Sequence, residues 1–480
     1  MKTSLRLTAV LICCLFIQSI QAKIVLPTFF TDNMVLQQKT KVNFSGQANS
    51  STSVVVTTSW NGKKYETKAD AQGSWKVAVQ TPRYGGPYEV TISDGEALTL
   101  HNILIGDVWF CSGQSNMEMP LAGWGKIQHY EQEIEKANYP NIRLLQMLRT
   151  PAQSPTSEAN VWDGGWQECS SKSIPEFSST AYFFAREVYE KTHVPIGLIH
   201  SSWGGTYVEA WMSEQTLSKY VALKEAYNQM KATNRNSFDT KNGNQPTVLY
   251  NAMVAPFIGF PIKGAIWYQG ESNAGRALAY RELFPDMIND WRSKWGRGNF
   301  PFYFVQLANF MKKEDSPVTS DWAMLREAQT YALKLPNTGM AVTADIGDEA
   351  DIHPKNKQEV GRRLALLALN DNYGQKTVCK GPSLKSYKIK GNEVLLRFDA
   401  TGKQIISKTT GNHHAFAVAG NDHKFYWADA KISGDIIAVS SPQVKEPIAV
   451  RYAWANNPDA ELFNAEGLPA APFRTDDWDK

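Results

Sequence analysis

Cysteine is scarce in this chain of 480 residues: there are five. Two of them, Cys13 and Cys14, lie inside the apolar run Leu7–Ile17. Cys111, Cys169 and Cys379 are too few and too scattered for a disulfide framework, and an odd number leaves at least one unpaired. No Cys-x-x-Cys or His-Glu-x-x-His spacing occurs, so no pattern suggests a metal. Long hydrophobic runs are also lacking. Leu7–Ile17 is too short to span a bilayer, and no later stretch is long enough. Charge of one sign is lacking as well. Fifty Lys and Arg against 47 Asp and Glu give a net charge of +3, which offers no electrostatic footprint for nucleic acid or an anionic membrane. The aromatic residues, by contrast, are plentiful, with 15 Trp, 19 Tyr and 21 Phe. That content suits stacking against sugar rings, and it equally suits large cores in β-rich domains.

Lys2 and Arg6 before the apolar run, and Ser19-Ile20-Gln21-Ala22 after it, describe a secretory signal peptide over residues 1–22. An exported protein, periplasmic or extracellular, is therefore expected. From residue 23 to 105 short runs rich in Val, Thr and Tyr alternate with Asn61-Gly62, Gln72-Gly73 and Gly85-Gly86-Pro87, the texture of a β-sandwich. Residues 373–480 repeat it. Between them, residues 106–372 alternate apolar strands with helical stretches. The strands are expected at Asp107–Cys111, Pro195–His200, Ile262–Tyr268, Phe302–Leu307 and Met340–Ala344. This alternation predicts an α/β domain with a parallel sheet covered on both faces, flanked by two β regions. Ligands in such sheets bind beyond the carboxyl ends of the strands.

The residues following those strands share a chemistry. Cys111-Ser112-Gly113-Gln114-Ser115-Asn116-Met117 follows the first, and Ser201-Ser202-Trp203-Gly204-Gly205-Thr206 the second. Gln269-Gly270-Glu271-Ser272-Asn273 follows the third, and Asp345 through Asp351-Ile352-His353-Pro354 the fifth. Together they supply a hydroxyl nucleophile, neutral oxyanion donors, an imidazole base and a nearby acid, as acyl transfer from an ester requires. Ser115 could instead cap a helix start, Gly204 and Gly205 could only turn the chain, and Asn273 could form a loop turn. Ser272 is a rival nucleophile, because Gly270-Glu271-Ser272-Asn273-Ala274 nearly forms a nucleophile elbow but lacks its closing glycine.

In these blocks the chain resembles the sialate O-acetylesterase family of the SGNH hydrolases. Gly113-Gln114-Ser115-Asn116 resembles the family's nucleophile block and Trp203-Gly204-Gly205-Thr206 its glycine block. Tyr268-Gln269-Gly270-Glu271-Ser272-Asn273 resembles the asparagine block and Asp351-Ile352-His353-Pro354 the histidine block. One departure stands out. Many SGNH enzymes carry an acid three residues before the histidine, where this chain has Ala350; the nearest acid is Asp351. The resemblance implies a flavodoxin-like catalytic domain and a serine esterase acting on O-acetylated sialic acids, 9-O-acetyl foremost, without a cofactor. Ser115 would be the nucleophile, His353 the base and Asp351 its orienter, with Asp348 as the alternative acid. The oxyanion would sit on the Ser115 N–H, a Gly204 or Gly205 N–H and the Asn273 amide. The expected partner is the O-acetylated sugar, with no nucleic acid and no membrane span. Acetylated xylan is the alternative substrate, and a non-catalytic glycan-binding protein is the alternative of another class.

Overall fold

The computed structural model describes residues 24–233, 238–399, 404–408 and 414–478; the expected signal peptide, and His413 beside His414, lie outside them. Its centre is a sheet whose strands we number β1 (Ala97–Gly113), β2 (Asn138–Gln146), β3 (Gln167–Ser170), β4 (Ile196–Ser202), β5 (Gly264–Tyr268), β6 (Phe302–Val305) and β7 (Thr338–Ala341). Their spatial order is β7-β6-β5-β1-β4-β2-β3, all parallel except the edge strand β3. The expected α/β architecture with antiparallel flanking sheets is the one found. Two strands of the sheet, β2 and β3, escaped the sequence reading. The start of β2, Asn138-Tyr139-Pro140-Asn141, reads as a turn, and its apolar run begins only at Ile142.

Alternation along the strands sorts side chains between two cores. Val108 and Phe110 of β1 and Ala265 and Trp267 of β5 enter one, which also takes Leu283, Phe284, Met287 and Trp291 of helix α2 and Trp322 and Leu325 of helix α3. Trp109 and Cys111 of β1 and Ile266 and Tyr268 of β5 enter the other, with Ala181 and Phe184 of helix α1 and Val360, Leu364 and Leu367 of helix α4. Those helices span Ser179–Thr192 (α1), Ala277–Trp295 (α2), Asp321–Tyr331 (α3) and Lys357–Asn372 (α4). Ser178 and Ser320 cap the starts of α1 and α3 by accepting from Ala181 N and Ala323 N.

The N-terminal β region does not stop where the catalytic sheet begins. The 17-residue strand β1 pairs antiparallel with Gly85–Ser93 in its first part and parallel with β4 and β5 in its second. The first core is continuous across the junction: Phe29 packs on Phe257, with ring centroids 5.1 Å apart. The C-terminal region forms a seven-stranded antiparallel sheet with its own core. It is tied to the catalytic region by Arg326 of α3, whose buried guanidinium donates to Leu307 O, Ala308 O, Ala455 O and Asn456 O at 2.7–3.1 Å. Burial lowers this guanidinium to about 9. Cys111, Cys169 and Cys379 are all free thiols. No helix among the described residues is long and apolar enough to cross a membrane.

Candidate active site

Strand order turns about β1. The chain reaches β4 on one side of it and then crosses to β5 on the other, so the crevice beside the end of β1 is the switch point where such sheets bind ligands. Backbone crowding there demands glycine. A Cβ on Gly113 would fall 2.1 Å from Tyr268 O, and its φ of +141° is one that side-chain-bearing residues avoid. Gly113 thus lets β1 end flush against β5, and Ser115 follows at the start of a short helix, Ser115–Glu118. Ser115 is half-buried at its mouth.

Asn116 binds the motifs together. Its buried Nδ2 donates to Glu271 Oε1 at 2.6 Å and to Ile352 O at 3.0 Å, while its Oδ1 accepts from Lys357 Nζ at 2.5 Å. One side chain therefore joins the residue after Ser115 to the block following β5 and to the residue before His353. Gln114 adds a second tie: its N–H donates to Tyr268 O at 2.9 Å, and its Oε1 accepts from Gly270 N and Ser272 N. Lys357 is fully buried, and desolvation lowers its ammonium to about 7 despite Glu271 nearby. Burial likewise raises Glu271, against the hydrogen bond from Asn116 and the charge of Lys357.

On the glycine side, the Gly204 N–H donates to Glu118 Oε2 at 2.8 Å, and Glu118 Oε1 accepts from Arg149 Nε at 2.5 Å. Gly204 lies directly over the serine: a Cβ added to it would sit 3.1 Å from Ser115 Cβ. Gly205 has a φ of +74° and is exposed. Asn273 is buried in the 3₁₀ turn Glu271–Arg276. Its Oδ1 accepts from Gln269 Nε2 at 2.7 Å and Val208 N at 3.1 Å, which fixes the amide's orientation. Its Nδ2 donates to Glu209 Oε2 at 3.0 Å, and Glu209 is paired to Arg276 at 2.6 Å. An amide carries two N–H donors, so one remains beyond Glu209.

His353 sits in the loop between β7 and α4, its ring edge-on to Trp124 at 5.1 Å. Trp124 is half exposed, whereas Trp211 and Trp267 are core. Asp351 Oδ1 accepts from the His353 main-chain N–H at 2.8 Å and lies 3.4 Å from Nδ1; its Oδ2 faces Lys355 Nζ at 3.1 Å. Asp348 turns instead to the Ala350 N–H at 2.8 Å. The proximity of Asp351 does not decide the His353 pKa. Asp351 is partly exposed, and although it pulls His353 up, burial and the charge of Lys357 prevail and hold the imidazole below its ordinary value. Asp351 is itself held low: burial opposes ionisation, but the His353 N–H and Lys355 outweigh it. His200 is a packing residue, buried against Phe177 and bonded to Ser202 Oγ, with burial lowering its pKa to about 3.

Sequence reasoning passed over Asn116, Lys357, Glu118, Arg149 and Glu209. Only their place within or near the motif blocks could have drawn notice, because nothing in a linear pattern pairs residue 116 with residue 357.

The family model described as carbohydrate esterase, sialic acid-specific acetylesterase matches residues 105–370. Sialate O-acetylesterase of Homo sapiens is 31% identical over 442 residues, covering 83% of this chain and 82% of that protein. The Mus musculus sialate O-acetylesterase is 30% identical over 471 residues, with 86% of each chain covered. A crystal structure of a carbohydrate acetylesterase from Xanthomonas citri superposes with a TM-score of 0.86 at 39% identity, covering 95% of this chain and all of that one. The fold and these relatives define an esterase of carbohydrates. Within that class, the chain belongs to the sialic acid-specific acetylesterase family.

Proposed function

We propose that this protein is an exported serine esterase that removes O-acetyl groups from sialic acids, the 9-O-acetyl ester foremost. The observation that carries the reading is the Asn116 bridge, which brings the residue after Ser115 and the residue before His353 into one hydrogen-bonded unit. Ser115 Oγ attacks the acetyl carbonyl while His353 takes its proton. The tetrahedral intermediate collapses to an acetyl-enzyme as His353 protonates the sugar alkoxide. Water, deprotonated by the same imidazole, then releases acetate. The oxyanion rests on the Ser115 N–H, the spare N–H of Asn273 and a glycine N–H. Because Gly204 gives its N–H to Glu118, Gly205 is the candidate glycine donor. Asp351 orients His353 by fixing its backbone and facing Nδ1, a contact long in the free enzyme and able to tighten with substrate bound. The sialic acid-specific family model and the sialate O-acetylesterases at 30–31% identity support a sialic acid ester ahead of xylan.

Acetate release from 9-O-acetyl-N-acetylneuraminic acid, compared with acetylated xylan, tests the substrate. We expect the sialic acid ester to be preferred, Ser115→Ala to abolish release, and Asn273→Ala to lower kcat by about 100-fold with KM little changed. Preference for xylan, or full activity in Ser115→Ala, would overturn the reading.

A further inference from the structure

A second cleft, of about 810 Å³, opens between the loop Asp315–Thr319 and the C-terminal sheet, away from the Ser115 crevice. Its walls include Phe425, Trp427, Trp454, Trp478 and Arg451. These are rings held in place. The Trp427 indole donates to Asp315 O at 3.0 Å, pinning the loop across the sheet. His423 lies flat on Trp478, with centroids 3.8 Å apart and planes within 3°. Arg451 is gripped by Asp476 through two bonds of 2.9 and 2.7 Å and lies 4.1 Å from the Phe425 ring centre. At the rim stand the exposed side chains of Lys424 and Gln443. None of these groups contributes to the ester-cleaving site.

We infer that this cleft is a second carbohydrate-binding site, which holds a pyranose-containing oligosaccharide. A pyranose presents a face of C–H bonds ringed by hydroxyls. It needs a flat, rigid π surface below and hydrogen-bonding groups around the edge, and the partly exposed Trp427 and Trp478, rimmed by the Gln443 amide and the Lys424 ammonium, provide both. An acyl chain or apolar peptide would make no use of the rim groups Lys424 and Gln443. A nucleic-acid backbone would find Arg451 already neutralised by Asp476. Position adds to the argument. The loop carrying Asp315–Thr319 leaves the carboxyl end of β6, and its Phe310 pairs with Asp348 in the loop that carries His353. A glycan anchored in the cleft thus lies along the same edge of the sheet as Ser115, and anchoring would raise the local concentration of acetylated residues there. The inference does not depend on which acetylated sugar the Ser115 site accepts.

The test is titration calorimetry of the intact protein with 6′-sialyllactose and with xylohexaose, neither of which carries an O-acetyl ester. It is paired with hydrolysis of 4-nitrophenyl acetate by the same samples. At least one oligosaccharide should bind, and its affinity should fall at least tenfold in both Trp478→Ala and Lys424→Ala, with kcat and KM for the small ester unchanged. Lys424 is exposed, so its variant retains the fold even where removal of Trp478 disturbs it. No binding by the wild-type protein, or binding that neither substitution weakens, would overturn the proposal. A failure to hydrolyse acetylated sialic acid would leave the titration result standing, so the two readings fall separately.

Discussion

His353 has two charged neighbours that act on it in opposite senses. Lys357 repels a proton on the imidazole and Asp351 attracts one, while burial favours the neutral ring. The base must be neutral, so activity should fall as pH drops through the lowered His353 pKa. Lys357→Met removes a repulsive charge, and the acid limb of the kcat/KM profile should move to higher pH. Asp351→Asn removes an attractive one, and the limb should move to lower pH, with kcat reduced. A purely structural role for either residue would lower activity without moving the limb. If Asp348→Asn instead produces the larger loss, the orienting acid has been misassigned; full activity in both carboxylate variants would leave a Ser115–His353 pair. The identities of Ser115, Asn273 and His353 as site candidates were legible in the sequence because each follows a strand within a recognisable block. Lys357 was not, because a lysine in an amphipathic helix reads as a solvated side chain. Only the fold reveals that its ammonium points inward to Asn116.

At the scale of elements, the segment after β4 packs closely on the helix that Ser115 begins. A methyl group on Gly204 would press within 3.1 Å of both Ser115 Cβ and Glu118 Oε2. Gly204→Ala should therefore shift the serine or its acid neighbour by a few tenths of an ångström and lower kcat, by less than the roughly 100-fold that a misplacement of about 1 Å costs. Thermal denaturation should change little, because Glu118 can swing toward Arg149. A variant with unchanged kcat would show that this approach does not position the nucleophile. The same region shows what patterning can and cannot reveal. Central strands such as Gly264–Tyr268 were evident as unbroken apolar runs, as strands buried on both faces must be. Strand β2 was hidden by its polar, proline-bearing start, and the length of β1 was hidden by His101-Asn102, where its ladder with Gly85–Ser93 shifts register.

Across the whole molecule, β1 serves two sheets at once. Deleting residues 23–96 would strip the antiparallel partner Gly85–Ser93 and the apolar contacts of Phe29 and Phe30 from the first core. We expect that truncated protein to be insoluble, and calorimetry of the intact chain to show no separate transition for the N-terminal region. A soluble, active truncation would contradict this. The shared strand also bears on descent. A module joined by a linker can be exchanged between genes by cutting anywhere in the linker, but here any cut between the two sheets falls inside a paired strand whose last residues present Ser115. Recombination that shuffled accessory regions freely would have to replace the nucleophile strand with them, so these two regions are bound to be inherited together.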